Sequence, residues 1–304
     1  MAAPVLLGVL VMASCGSDSS TGGTAANSSS SSSTTTGSTS KAATYTCQTG
    51  TATASGSTAL LPLAQKAAEL YPTKCPGATI TVSGGGSSTG LANVAAGTSD
   101  IGDSDVPVTD AKAIDPTTVT DHQVAIVVFA IIVNPKTNVT NLTLKQAQDI
   151  FSGKVTNWKD VGGADVAVTL TERKPGSGTR LTFDKTVMQG TAESATPAST
   201  QDSTQLVLTE VAGAPGGVSY IAASSADKTV TAVSLDGTPP TGDSIKAGKY
   251  PFFSHEHMYT KGAGSPLAQS YINYILTDEF QNGPLVDLKF LPLSTTSEQS
   301  LADK

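Results

Sequence analysis

Aromatic side chains are scarce: Phe, Tyr and Trp make up 5% of the chain, with one tryptophan, Trp158, which leaves little material for the stacking platforms that hold sugars or bases. Charge is scarce as well. Charged residues are 14% of the 304, the net charge is -7 and no long Lys/Arg run occurs, so the phosphate neutralisation that drives nucleic-acid binding has no source. An anionic ligand would have to be held by local dipoles rather than by a basic surface. The only histidines are His122, His255 and His257, few bases from which to build a Ser–His–Asp triad, and neither a Walker A pattern nor G-x-G-x-x-G occurs. Cysteine appears as Cys15, Cys47 and Cys75, none of them in a CxxC metal pattern. What remains, 38% apolar residues over 304 positions, is enough for one large or two modest cores of a soluble globular protein.

The first apolar run, from Val5 to Ala13 in MAAPVLLGVLVMASC, is too short to span a bilayer and suits the apolar region of a signal peptide. Small residues before Cys15 match a lipoprotein signal over residues 1–15, with Cys15 lipidated as the mature N-terminus. No basic residue precedes the run, a departure from the usual pattern that a start site placed too far downstream would explain. From Gly16 to Thr44, 18 of 29 residues are Ser or Thr, a composition that cannot bury enough surface to offset ordering entropy. It reads as a disordered tether with a reach of about 30 Å, enough to hold a folded body clear of a membrane. In an exported protein Cys47 and Cys75 would then pair, a disulfide worth up to roughly 3 kcal/mol.

After Tyr45 the chain alternates strand-like runs with helix-like segments, the signature of an α/β fold. TATA leads into GSTALLPLAQKAAELY, ATITVSG into GGSSTGLANVAAG, and VAVTLTER into GSGTRLTFDKTVM, each junction being a Gly/Ser/Thr turn of the kind that can converge beyond the carboxyl ends of strands. HQVAIVVFAIIVNP (122–135) is the longest apolar run of the folded part and suits a buried strand crossing from one lobe to another. YPFFSHEHMYT (250–260) reads as the return crossing, before a helix over SPLAQSYINYILTDEF (265–280). His255 and His257 could face the same side of that strand as a metal pair; the crossing position and the lack of a carboxylate-rich neighbourhood favour a polar strand end instead, so no metal or cofactor is expected.

The stretch LTERKPGSGTRLTF (170–183) concentrates the chemistry. Its Gly-Ser-Gly-Thr turn leaves N–H groups free at a helix start, where they and the hydroxyls can face an anion. Ordinary N-capping by Ser177 or Thr179 would use the same residues.

Five segments in this order, SGSTALLPL (55–63), GGGSSTGL (84–91), SDIGDSDVPVTD (99–110), ERKPGSGTR (172–180) and GGVSYI (216–221), with IFSGKVTNW (150–158) between the third and fourth, resemble the phosphate-binding proteins of ABC-type phosphate uptake systems over about 51–280. The resemblance implies an α/β, two-lobed periplasmic-binding-protein fold of type II, each lobe a mixed sheet flanked by helices, with residues 45–130 and 250–304 in lobe I and 131–249 in lobe II. It implies an extracytoplasmic monomer that binds inorganic phosphate between the lobes and delivers it to membrane permease and ATPase subunits. Carried over by position, the ligand set is Thr58 (hydroxyl and N–H), the N–H of Ala59, Ser87, the Asp105 carboxylate, the Arg173 guanidinium, and Ser177, Gly178 and Thr179. A tetrahedral oxyanion offers acceptors and one or two protons, so a dry site needs many donors and one acceptor, which is the role left for Asp105. Sulfate or molybdate, lacking that proton, is the alternative ligand, and a Ser-dependent hydrolase or phosphatase the alternative class. Where some relatives carry an acidic residue two places after the arginine, this chain has Pro175, so the orientation of Arg173 must come from elsewhere, a remote carboxylate or Asp105 itself.

Overall fold

The computed structural model describes residues 43–295; the segment with Cys15, most of the Ser/Thr-rich stretch and residues 296–304 lie outside the described residues. All that follows belongs to the compact unit that starts at Lys41. Its strands are β1 (Gly50–Gly56), β2 (Ala78–Ser83), β3 (Ile101–Ser104), β4 (Val119–Val133), β5 (Asn141–Leu142), β6 (Thr169–Arg173), β7 (Ser199–Gln201), β8 (Gly217–Ala222), β9 (Thr231–Ala232), β10 (Ser234–Leu235) and β11 (Phe253–Lys261). The helices used below are α1 (Leu61–Lys74), α2 (Ser87–Ala96), α3 (Val108–Ala111), α4 (Leu144–Phe151), α5 (Gly178–Phe183), α6 (Thr204–Gly213), α7 (Gly242–Lys246), α8 (Pro266–Ile275) and α9 (Asp278–Gln281).

Among the described residues one mixed sheet runs in the order β2-β1-β3-β11-β4-β8-β6-β7, with β9 also on β4. β2, β1 and β3 are parallel, β11 is antiparallel to β3 and β4, and β6 is parallel to β8 and β7. The long strand β4 joins the halves: residues 119–128 pair with β11 and residues 129–133 pair with β8. Ten consecutive residues, Val124–Val133, are buried, as a strand covered on both faces requires. Where the partner changes, the Phe129 N–H donates to the Phe252 carbonyl at 3.0 Å and the two rings lie 5.2 Å apart, so the two stretches read as crossings meet there. The apolar core is continuous past this point, from Leu63 and Tyr71 of α1 to Phe151, Phe183 and Tyr220.

Local chemistry sets the helix ends. α2 stops at Gly97, in the left-handed region at φ 77°, with the Thr98 N–H returning to Asn93 O at 3.0 Å, a closure that a residue with a Cβ resists. α4 starts with a reciprocal capping box between Thr143 and Gln146. Two expectations need correction. VAVTLTER becomes a strand only from Thr169, because Trp158 N–H and Val168 N–H draw the preceding residues into loop hydrogen bonds with Val166 O and Thr156 O. The helix expected over 265–280 is two helices, α8 and α9, since Thr277 is extended and its hydroxyl accepts the Phe280 N–H at 3.3 Å, capping a new start.

Cys47 and Cys75 form a disulfide with a Cα–Cα distance of 5.0 Å, tying the segment before β1 to the C-terminal end of α1. Replacing both by serine should lower the unfolding free energy by roughly 2–4 kcal/mol. Urea denaturation checks this: the midpoint falls, with the slope rising as the unlinked denatured chain exposes more surface, and an unmoved midpoint contradicts it.

Candidate functional site

Four polar turns, each between a strand and a helix, meet in one buried cluster. The first follows β1: Gly56 has φ 142°, and Ser57 accepts the N–H groups of Ala59 (3.0 Å) and Leu60 (2.9 Å) on its hydroxyl while donating its own proton to Asp105 Oδ1. The second is Gly84–Gly86, after which α2 begins at buried Ser87 without a side-chain cap. The third is Lys174–Ser177, where Ser177 caps α5 by accepting the Arg180 N–H at 3.3 Å, leaving Gly178 and Thr179 in the first turn. The fourth follows β7, where Ser203 caps α6 and buried Thr204 turns inward.

Asp105, at 2% exposure, joins these turns. Oδ1 takes the Ser57 hydroxyl, Oδ2 takes the Thr179 hydroxyl at 2.8 Å, and its N–H donates to Ser87 Oγ at 3.1 Å. Gly178 makes that approach possible, because a Cβ there would lie 2.8 Å from Asp105 Cβ and would strike Ser87 Oγ as well. The second and third turns also bond directly, Ser88 N–H to Gly176 O at 3.0 Å.

Arg173, at 1% exposure, ends β6 and points into the same cluster. Nη2 donates to Thr58 Oγ1 at 3.1 Å and to the Asp202 carbonyl at 3.3 Å, and Nη1 donates to Thr179 Oγ1 at 3.4 Å. Thr58 Oγ1 also accepts the Thr204 N–H at 3.3 Å, so its own proton goes to Thr204 Oγ1, 3.2 Å away. Thr179, donating to Asp105 and accepting from Arg173, links the two charges through one hydroxyl. Among the described residues no carboxylate bonds Arg173 directly; the replacement for the acid absent at Pro175 is this set of hydroxyls and one carbonyl. Burial pushes the guanidinium down from its ordinary value and the nearby Asp105 charge opposes that, but an arginine stays charged regardless.

The carboxylates near ERKPGSGTR serve Arg180 instead. Its guanidinium forms ion pairs with Glu172 (3.4 Å) and Glu193 and donates to the Arg173 carbonyl. Burial raises Glu193 to about 7, with Arg180 opposing, and raises Glu172 above its ordinary value for the same reason. Tyr220 donates to Glu193 at 2.9 Å.

All eight predicted site residues, Thr58, Ala59, Ser87, Asp105, Arg173, Ser177, Gly178 and Thr179, lie on these turns or bond across them, with the Ala59 N–H already given to Ser57. Ser57 and Thr204 were missed, although Asp202-Ser203-Thr204 has the same polar entry into a helix as the other three turns and could have been found by it. A G-x-S-x-G spacing, Gly86 to Gly90, was also passed over; its central Ser88 sits in the first turn of α2 with its N–H on Gly176. The expectation of a polar strand end at His255-Glu256-His257 is wrong. Glu256 is 0% and His257 1% exposed, because β11 is an interior strand, and the neighbourhood does hold carboxylates: His257 Nδ1 bonds Asp121 at 2.8 Å, Asp103 lies on the neighbouring strand and Asp105 in the turn after it. No group able to hold a metal ion occurs among the described residues.

A profile of the PBP superfamily domain matches residues 28–279. Phosphate-binding protein PstS of Bacillus subtilis is 39% identical over 248 residues, 81% of either chain. Among solved structures, a putative phosphate ABC transporter substrate-binding protein with bound phosphate from Clostridium perfringens is 29% identical, covers 80% of this chain and 100% of its own, and superposes with a TM-score of 0.73. An ABC-type phosphate transport receptor from Vibrio cholerae is 26% identical with the same coverage and a TM-score of 0.63.

The Arg180 cluster carries a pH signature. Glu193 binds its proton more tightly folded (about 7) than at its ordinary 4.5, so its contribution to stability is complete below pH 4.5 and is lost as pH rises to 7, at up to about 1.4 kcal/mol per pH unit. Glu193→Gln should flatten the stability–pH curve across that window, as measured by urea unfolding at several pH values; a slope equal to that of the wild type contradicts the assignment.

Proposed function

The chain belongs to the phosphate-binding proteins of the PBP superfamily, and on that premise we propose that it binds inorganic phosphate in a cleft between two lobes and delivers it to the permease of an ABC-type phosphate transporter. One observation carries the choice of ligand: the buried Asp105 carboxylate is set among hydroxyls, helix-start N–H groups and one guanidinium. Donors in excess suit an oxyanion, and the lone acceptor suits one that still carries a proton. Phosphate keeps a proton at neutral pH; sulfate and molybdate do not, and would leave two acceptors opposed in a dry site.

In this reading Thr58, the Ala59 N–H and Ser87 contribute from lobe I, residues 45–130 and 250–304, together with Asp105. Arg173, Ser177, Gly178 and Thr179 contribute from lobe II, residues 131–249. Contacts such as Arg173 with Thr58 and Asp105 with Thr179 would then be lobe-to-lobe bonds of a closed arrangement, and the ligand would shift an open–closed equilibrium toward it. No chemical step on the ligand is part of the proposal: His122 is engaged with Thr260 and His257 with Asp121, on β4 and β11, while the hydroxyls of the site bond Asp105, Arg173 and each other. The protein acts as an extracytoplasmic monomer anchored to a membrane by lipid on Cys15 and tethered through residues 16–44. Mass spectrometry of the protein from its native membrane should find a mature chain that starts at acylated Cys15, and a mature chain starting elsewhere removes the anchor.

Calorimetric titration tests the ligand. Phosphate should bind and sulfate should fail to compete at neutral pH; equal binding of the two contradicts both the role of Asp105 and the choice of phosphate. Arg173→Ala should weaken phosphate binding by at least about a hundred-fold, roughly 3 kcal/mol, since it removes the buried charge. Arg173→Lys should recover only part of that, because lysine keeps the charge and loses the planar fork. Near-native affinity in the alanine variant contradicts the role of Arg173.

A further inference from the structure

Behind Asp105 lies an acid that the ligand reading does not use. β3 and β11 run antiparallel with His257 opposite Ser104 and Met258 opposite Asp103; β3 ends at Ser104, and Asp105, the first residue of the turn after it, lies beside Glu256. Cross-strand partners share a face of the sheet, as do residues two apart, so Asp103, Asp105 and Glu256 form a patch of three carboxyl groups. All are buried, Asp103 and Glu256 at 0% exposure. No N–H or O–H group reaches either oxygen of Glu256 or of Asp103, and the group nearest in effect to Glu256 is the Asp105 carboxyl, close enough to hold it protonated. Two carboxylates cannot bond each other. The contact is a hydrogen bond only if one proton lies between them, and Asp105, already accepting from Ser57 and Thr179, is the better acceptor.

We propose that Glu256 is a positioning residue for the anion site: it stays protonated, donates to Asp105 from the side away from the ligand, and thereby keeps Asp105 an ionised acceptor for the ligand's proton. The proposal rests on the reading of Asp105 as the ligand-facing carboxylate. Discrimination between phosphate and a fully deprotonated oxyanion then depends on a residue that touches neither. Three donors, two hydroxyls and one carboxylic acid, hold the charge on Asp105 and leave a lone-pair position for the ligand. Burial, then the Asp105 charge and the hydrogen bond to it, raise Glu256 well above the usual carboxylate range; burial, then Asp105, do the same to Asp103.

The groups facing this pair come from four elements. β3 and the turn that follows it supply Asp103 and Asp105, α8 supplies Tyr271 beside Asp103, and β6 supplies Arg173, whose charge bears on Asp105. β4 places Ala125 opposite Glu256. The rings of His255, His257 and Tyr259 pack along one another, which puts them, with Asp121, on the opposite face of β11 from Glu256. Three acids thus share one cation, so a second negative charge in the patch is strongly opposed and the proton stays on Glu256 through neutral pH.

The test compares Glu256→Leu, which removes the donor, with Glu256→Gln, which keeps a donor that cannot ionise, in calorimetric titrations with phosphate and sulfate from roughly pH 5 to 9 on the full chain. In the Leu variant Asp105 loses a donor and is held less firmly as the acceptor for the ligand's proton. Phosphate affinity should then fall on the order of ten- to a hundred-fold at neutral pH, and discrimination against sulfate should shrink by a similar factor. The Gln variant should restore both, and its affinity should hold on the alkaline side, where the wild type weakens as Glu256 gives up its proton. A folded Leu variant that matches the wild type in affinity and discrimination overturns the proposal alone, as does a Gln variant as impaired as the Leu variant. If the Leu variant does not fold, the Gln profile decides, and an alkaline fall parallel to the wild type overturns the proposal. A wild type that takes sulfate as readily as phosphate overturns the ligand reading, and this proposal with it.

Discussion

A buried carboxylate has to be given hydrogen-bond donors, and the demand of Asp105 for them organises the polar centre of this protein. An isolated charge in a dry interior costs several kcal/mol unless its lone pairs are met. Here they are met by Ser57 from the turn after β1 and Thr179 from the first turn of α5, while Ser87 at the start of α2 accepts the Asp105 N–H. Three turns from distant parts of the chain are thereby drawn onto one residue, two onto its side chain and one onto its backbone N–H. The absence of a side chain at Gly178 follows from the same demand: α5 can present Thr179 to Asp105 only if nothing stands between Gly178 and the Asp105 Cβ.

The same arrangement explains how a chain of net charge -7 can hold an anion. The positive potential is local, from one guanidinium and the starts of several helices, and burial makes each count for more than it would on the surface. Arg173 needs to be held without being neutralised. A directly paired carboxylate would cancel the charge that an anion is to feel, whereas hydroxyls and a carbonyl orient the guanidinium and leave its charge available. The acids Glu172 and Glu193 gather instead around Arg180, whose bond to the Arg173 carbonyl fixes the backbone of Arg173 from behind.

Much of this was legible because much of it is local. A polar turn between a strand and a helix shows itself in a few consecutive residues, through Gly where the backbone turns and Ser or Thr where a helix starts, so the turns around Thr58, Ser87 and Thr179 could be read directly. The long buried strand β4 could be read from the length of its apolar run. What could not be read was non-local. Nothing in SHEHMYT shows that Glu256 will lie beside Asp105, about 150 positions away, since antiparallel register is set by pairing and not by composition; read locally, the triplet looks like a polar strand end. The means of holding Arg173 was hidden for a related reason. The acid adjacent in sequence, Glu172, alternates to the other face of β6, and the groups that hold Arg173 come from Thr58, Thr179 and Asp202.

The surplus of buried acids makes sense only when function and stability are separated. Asp103 and Glu256 make no hydrogen bond with a donor, and apolar residues of similar size in their places would spare the fold the desolvation of two carboxyl groups. Glu256 faces the one carboxyl that must remain charged while every neighbour resists another charge. A hydroxyl could donate there but would add nothing to the local acidity; an amide would donate without being able to ionise. A carboxylic acid kept neutral by burial donates a strong hydrogen bond, while the charge on Asp105 and the dry surroundings raise the cost of any further negative charge in the patch. An arriving oxyanion meets that cost unless Arg173 and the helix starts offset it and its own proton lies toward Asp105. On the role proposed for Glu256, the residue that costs the fold stability is also the one that would sharpen the choice of ligand.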